Sequence, residues 1–88
     1  MNIEMRKPVA EELESLGVFG WPIWTCEPSV FDWKYDRKET CYLLEGQVTV
    51  EAKGQVVSFG KGDLVVFPEG LACVWKVKEA VRKHYRLG

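Results

Sequence analysis

From Trp21 onward the chain alternates short apolar runs with turn residues. WPIWTC, FDWKY, TCYLLE, QVTVEA, VVSF, LVVF, LACVWKV and VRKHYRL are each rich in β-branched or aromatic side chains, and Gly, Pro or charged residues separate them. That rhythm predicts strands over residues 21–87 and a small antiparallel barrel or sandwich. The preceding segment has a different period. In PVAEELESLG, Val9, Leu13 and Leu16 fall on one face, Glu11 and Glu12 lie in the first turns, and Gly17 supplies a stop. This predicts one short amphipathic helix over residues 8–16. No repeat, linker or low-complexity run interrupts the pattern, so residues 1–88 read as a single domain.

Within the strands, side chains two apart share a face. Counting from Glu39, Cys41 and Leu43 point the same way, but beyond Gly46 the apolar Val48 and Val50 fall on even numbers. A one-residue slip of parity requires a bulge or tight turn, and Gly46 is the residue that permits it. In LACVWKV, Leu71, Cys73, Trp75 and Val77 share a face opposite Ala72, Val74 and Lys76. A carboxylate, Glu39, and a thiol, Cys73, are thereby both assigned to the interior.

The bulk properties narrow the partners. A net charge of −1, with acidic and basic residues interspersed, offers no cationic face for a phosphate backbone, so no nucleic acid is expected. No apolar run approaches the ~20 residues of a spanning helix, and MNIEMRKP lacks the apolar core of a secretory signal. Membrane association is therefore not expected, and the expected compartment is the cytoplasm. Three cysteines, Cys26, Cys41 and Cys73, with no C-x-x-C spacing, read as reduced thiols rather than a disulfide framework. The open sheet edges of so small a barrel, with an aromatic strand such as WPIWTC to cover them, lead to the expectation of a homodimer.

Two spacings carry a family resemblance. Glu39 and Gly46 are separated by six residues, and GDLVVFPEGLAC places Gly62, Pro68 and Gly70 at G-x5-P-x-G. In that order they resemble the two motifs of cupins, and the combination of ETCYLLEG, GDLVVFPEGLACVW and VRKHY is similar to the group containing the ureidoglycine aminohydrolase domain and the ethanolamine-utilisation cupins. The resemblance implies an all-β fold, a small antiparallel, jelly-roll-like cupin β-barrel with one short N-terminal helix. It also implies a small polar, nitrogen-containing ligand, an amine, amide or ureido compound.

Cupins usually hold a metal through three histidines and a glutamate. Here Trp33 and Tyr35 stand at the first two histidine positions and Cys73 at the last, so Glu39 alone is retained. An indole N–H can only donate, and a phenol is a poor ligand unless deprotonated. Metal and cofactor are thus left unassigned. In an enzyme reading Glu39 acts as general acid or base and Cys73 as ligand or nucleophile. In a binding reading the same pocket holds a small polar or sugar-like metabolite without turnover. Cys73 also fits a small buried core residue, and Glu39 a structural hydrogen bond to Tyr35 or Trp75. Cys41 is inward by parity, a core residue or a third ligand beside Glu39 and Cys73 in a zinc-like set. Trp33, Tyr35 and Trp75 form either plain core or an aromatic wall able to hold a cationic amine. Lys83 shares parity with Val81, Tyr85 and Leu87 and either leans inward, as a cation beside the thiol, or snorkels at the edge. His84, between Arg82 and Arg86 by parity, is placed on a charged outer face. Trp21 and Trp24 of WPIW are placed in the core or on a dimer surface.

Overall fold

The structure, a computed structural model, describes residues 2–88 and is built around one seven-stranded sheet. After β1 (Glu4–Arg6) and helix α1 (Ala10–Leu16), a 3₁₀ turn at Val18–Gly20 leads into the strands. These are β2 (Ile23–Cys26), β3 (Ser29–Lys34), β4 (Glu39–Ala52), β5 (Gln55–Gly60), β6 (Leu64–Phe67) and β7 (Ala72–Leu87). The architecture is the small antiparallel cupin barrel that the motifs imply.

Eight predicted runs become six strands because two pairs fuse, and β1 is the seventh. TCYLLE and QVTVEA are the halves of β4, and LACVWKV and VRKHYRL are the halves of β7. The two long strands pair with each other along almost their whole length, from Glu39 opposite Leu87 to Ala52 opposite Cys73. Each half then takes a different outer neighbour. β4 pairs with β6 through Glu39–Tyr42 and with β5 through Gln47–Ala52. β7 pairs with β3 through residues 72–77 and with β2 through residues 81–84. β1, an exposed three-residue strand with a single apolar residue, Met5, and no alternating pattern, pairs with the edge of β6.

The parity slip at Gly46 is a bulge, with irregular register between Leu43 and Val48. Gly46 has φ 114°, and a Cβ there would lie 2.8 Å from the Ala80 carbonyl oxygen and 2.9 Å from Val81 Cα, so neither backbone nor space admits a side chain. Through it Cys41, Leu43, Val48 and Val50 all enter one core with Phe59, Phe67 and Trp75.

The helix begins at Ala10, two residues later than predicted. Val9 is an extended N-cap, whereas the C-terminal prediction stands, with Gly17 at φ 70° closing onto the Glu14 and Leu13 carbonyls. Only Leu13 of the helix is buried. The two motif segments meet through the backbone. Gly70 N–H donates to the Tyr35 carbonyl at 2.6 Å and Tyr35 N–H to that of Leu71 at 2.9 Å, which sets the Pro68–Gly70 turn beside Tyr35. Asp63 caps the other end of its segment by accepting the Gly60 N–H at 2.8 Å.

Candidate functional site

Tyr35 and Trp75 belong both to the buried core and to the wall of a cavity of about 260 Å³. Register builds its walls from strands far apart in sequence. Opposite Lys83 on β7 sits Trp24 of β2, and opposite Trp75 sits Phe31 of β3. Trp33 and Tyr35 continue the β3 side, while Tyr85 and Leu87 continue the β7 side. All of these share the inward parity of their strands, with Trp33 half-exposed at the mouth.

The polar part of the cavity is an ion pair. Lys83 Nζ donates to Glu39 Oε2 at 2.6 Å, and the two side chains are only 5% and 9% exposed. The ammonium also lies 4.8 Å from the Trp24 ring centroid and 4.6 Å from that of Trp75, so two indole faces and a carboxylate surround it. Lys83 therefore does not snorkel at the edge. Nor is Glu39 held by Tyr35 or Trp75, which bond each other instead, Trp75 Nε1–H donating to the Tyr35 hydroxyl at 3.1 Å. Tyr35 stacks on Phe67 at 4.8 Å, and Phe31 lies nearly parallel to Trp75 at 6.1 Å. These contacts hold the aromatic walls in fixed orientations.

Burial and the Glu39 charge act together on the neighbouring acids. Both push the Tyr35 phenol well above its usual range, so it stays protonated and acts as a neutral hydrogen-bonding group. Cys41 is fully buried, and desolvation pushes its thiol up to about 12 despite the opposing Lys83 charge. Desolvation, then Glu39, also raises Cys73. Cys73 shares the interior face with Trp75 but sits at the far end of β7, opposite Trp33, and lines a shallow groove with Asp32, Lys34 and Glu51 rather than the cavity. Glu39, Trp33, Tyr35, Trp75 and Lys83 are thus brought to one cavity, whereas neither Cys41 nor Cys73 lines it.

The cupin metal does not fit the residues present. Glu39 is engaged by an ammonium, Tyr35 is held protonated, and both inward thiols are raised. Among the described residues no group of three His, Cys, Asp or Glu side chains is placed to hold an ion, so Glu39, Cys41 and Cys73 do not form the zinc-like set.

One residue needs correction and two are additions. His84 does lie on the outward face, but it is buried: Phe19 packs edge-on against it at 5.6 Å and its Nδ1 lies 2.9 Å from the Trp21 carbonyl oxygen. The 3₁₀ turn covers a face that its arginine neighbours made look solvated. Trp24 and Phe31 were not assigned to the site. The signal that would have placed them is the parity that Trp24 shares with Cys26, and Phe31 with Trp33 and Tyr35.

This fold and the two motif segments agree with comparison to known proteins. The EutQ-like cupin domain family matches residues 13–85, and the chain belongs to that family. It is 53% identical to a DUF861 family protein from Thermotoga maritima, whose crystal structure superposes with a TM-score of 0.97 over 99% of this chain and 100% of that one. The Clostridium difficile EutQ protein is 25% identical over 74% of this chain, with a TM-score of 0.68, and this chain spans 52% of its length. A putative ethanolamine utilization protein Q from Salmonella typhimurium, at 20% identity and TM-score 0.66, shares the fold over 99% of this chain and 69% of its own. No curated protein matches the sequence. Among the described residues no helix is long and apolar enough to cross a membrane.

Proposed function

We propose that this cupin binds a small, flat, neutral metabolite carrying an amide or ureido group. The observation that carries the reading is the buried Glu39–Lys83 pair facing an aromatic cavity of about 260 Å³. An amide or urea presents an acceptor and a donor side by side. Its carbonyl oxygen accepts from a Lys83 N–H while its own N–H donates to Glu39, and its planar body lies against the indole and phenyl faces. The resemblance to the ureidoglycine aminohydrolase domain points to the same chemical class.

Binding is favoured over nucleophilic turnover because the Cys73 thiol is raised and lies outside the cavity, whereas a reactive thiolate requires a cation or base to lower it. Glu39 as an acid or base stays within the same proposal as the turnover alternative. A cytoplasmic site of action and a homodimer belong to the reading too. Among the described residues β3 has a strand partner on one side only, which leaves an edge for a second copy. Sedimentation equilibrium showing a lone monomer at micromolar concentration would remove the dimer.

The test is a titration of isotope-labelled protein with N-propylurea and butyramide, following the indole signals of Trp24 and Trp75. Saturable shifts are expected, and Glu39→Gln should weaken the affinity about tenfold or more, as loss of a charged hydrogen-bond partner does. Absence of any response to either probe would overturn the reading.

A further inference from the structure

Two indole faces and a carboxylate arranged around a cation form the constellation that recognises alkylammonium ligands. In this protein the cation is the chain's own. We infer that Lys83 is the specificity-determining residue of the cavity: its ammonium permanently occupies a cage made by Trp24, Trp75 and Glu39, so the site refuses cationic amines and admits neutral or anionic compounds.

The inference deepens the reading of the cavity as a ligand pocket and stands on three contacts. Lys83 Nζ is 4.8 Å from the Trp24 centroid, 4.6 Å from the Trp75 centroid and 2.6 Å from Glu39 Oε2. Backbone pairing makes this occupancy intrinsic to the fold. Trp24 is the direct cross-strand partner of Lys83, and Leu43, two residue pairs from Glu39 along the same face of β4, pairs with Lys83 on its other side. A second ammonium entering the cavity would meet a like charge already buried there, and Lys83 already neutralises the Glu39 carboxylate, whose other oxygen still serves a neutral N–H. Ammonium recognition is thus latent in the protein and blocked by one side chain. Removing that side chain should uncover it. An aromatic cage with a carboxylate but no resident cation is then left for an external one.

Ethylammonium chloride is the probe, with sodium chloride at matched ionic strength as the control for screening. Wild-type protein should show no saturable shift of the Trp24 and Trp75 indole signals and no ethylammonium-specific rise in melting temperature. Lys83→Ala should show both, with apparent affinity about tenfold or more above any wild-type response. Lys83→Met, which refills the slot without charge, should show neither. Should Lys83→Ala be unfolded alone, ethylammonium is expected to restore its folded spectrum. Saturable binding of ethylammonium by the wild type overturns the inference. So does a Lys83→Ala chain that ignores ethylammonium, whether it is folded or stays unfolded throughout the titration. The amide and ureido reading is scored separately, on N-propylurea against the wild type, so its failure leaves these outcomes unchanged.

Discussion

Strands β4 and β7 carry two lysine–glutamate pairs, one at each end of their shared ladder. Glu39–Lys83 is buried at 2.6 Å, and Glu51–Lys76 is about 40% exposed at 2.5 Å, its side chains being 43% and 42% accessible. The residue types, the strands and the separations are nearly the same. Both glutamates even have the same parity, and what separates them is the bulge at Gly46, which reverses the faces of β4 between them. One extra residue in a ladder turns an inward carboxylate into an outward one. The physical consequences then diverge, because an exposed pair exchanges one solvated arrangement for another, whereas a buried pair has lost its water and depends on its partner.

The largest effect expected from breaking that symmetry is at Lys83. Lys83→Met leaves Glu39 buried without a counter-charge and should cost about 3–5 kcal/mol in urea-induced unfolding. The compensated double variant, Lys83→Met with Glu39→Leu, should recover most of it, and a double variant as unstable as the single one would show that the pair is not the reason. Alkali sharpens the contrast, because the raised acids cluster around Glu39. Above pH 9.0 the unfolded chain releases the Cys41 proton while the folded chain keeps it until about 12. Stability should therefore fall across that window, with a slope approaching ~1.4 kcal/mol per pH unit from this thiol. Cys41→Ala should flatten the slope of the unfolding free energy against pH, and an unchanged slope would count against the assignment.

Next in size is the bulge itself. Gly46→Ala places a methyl group against the backbone of Ala80 and Val81 at a positive φ, and a loss of about 2 kcal/mol is expected in thermal unfolding. The smallest change is at the outer pair, where Lys76→Ala should shift stability by less than about 1 kcal/mol, and less still in high salt. A Lys76 effect equal to that of Lys83 would erase the distinction between the two ends.

The barrel and half of the site were legible in the chain, for a local reason. Alternation is a property of neighbouring residues, so the inward placement of Glu39 and Trp75 and the slip at Gly46 could be counted off directly. The missed features depend on which strand lies beside which. Lys83 was named for the site with two readings left open, inward or snorkelling, because Arg82, His84 and Arg86 around it suggest solvent, and the register that sets it between Trp24 and Leu43 decides for burial. His84 was given the correct face, but the cover over that face comes from Phe19 and from Trp21, 63 residues earlier in the chain. The fusion of strand runs has the same origin. A bulge and a turn both interrupt alternation, and only the unbroken partner strand tells them apart.

The long β4–β7 ladder also sets the order in which the molecule can assemble. The β4–β5 hairpin closes across a short turn and can form early, as local pairings do. The Trp24, Phe31 and Trp33 walls of the cavity, in contrast, hang on β7: among the described residues β2 and β3 have no other strand partner, and Lys83 is itself part of β7. The carboxylate of Glu39 therefore remains hydrated until the distant strand docks, and its desolvation coincides with the arrival of its counter-ion. Folding kinetics should show this as a late, single step in which indole fluorescence and barrel closure change together.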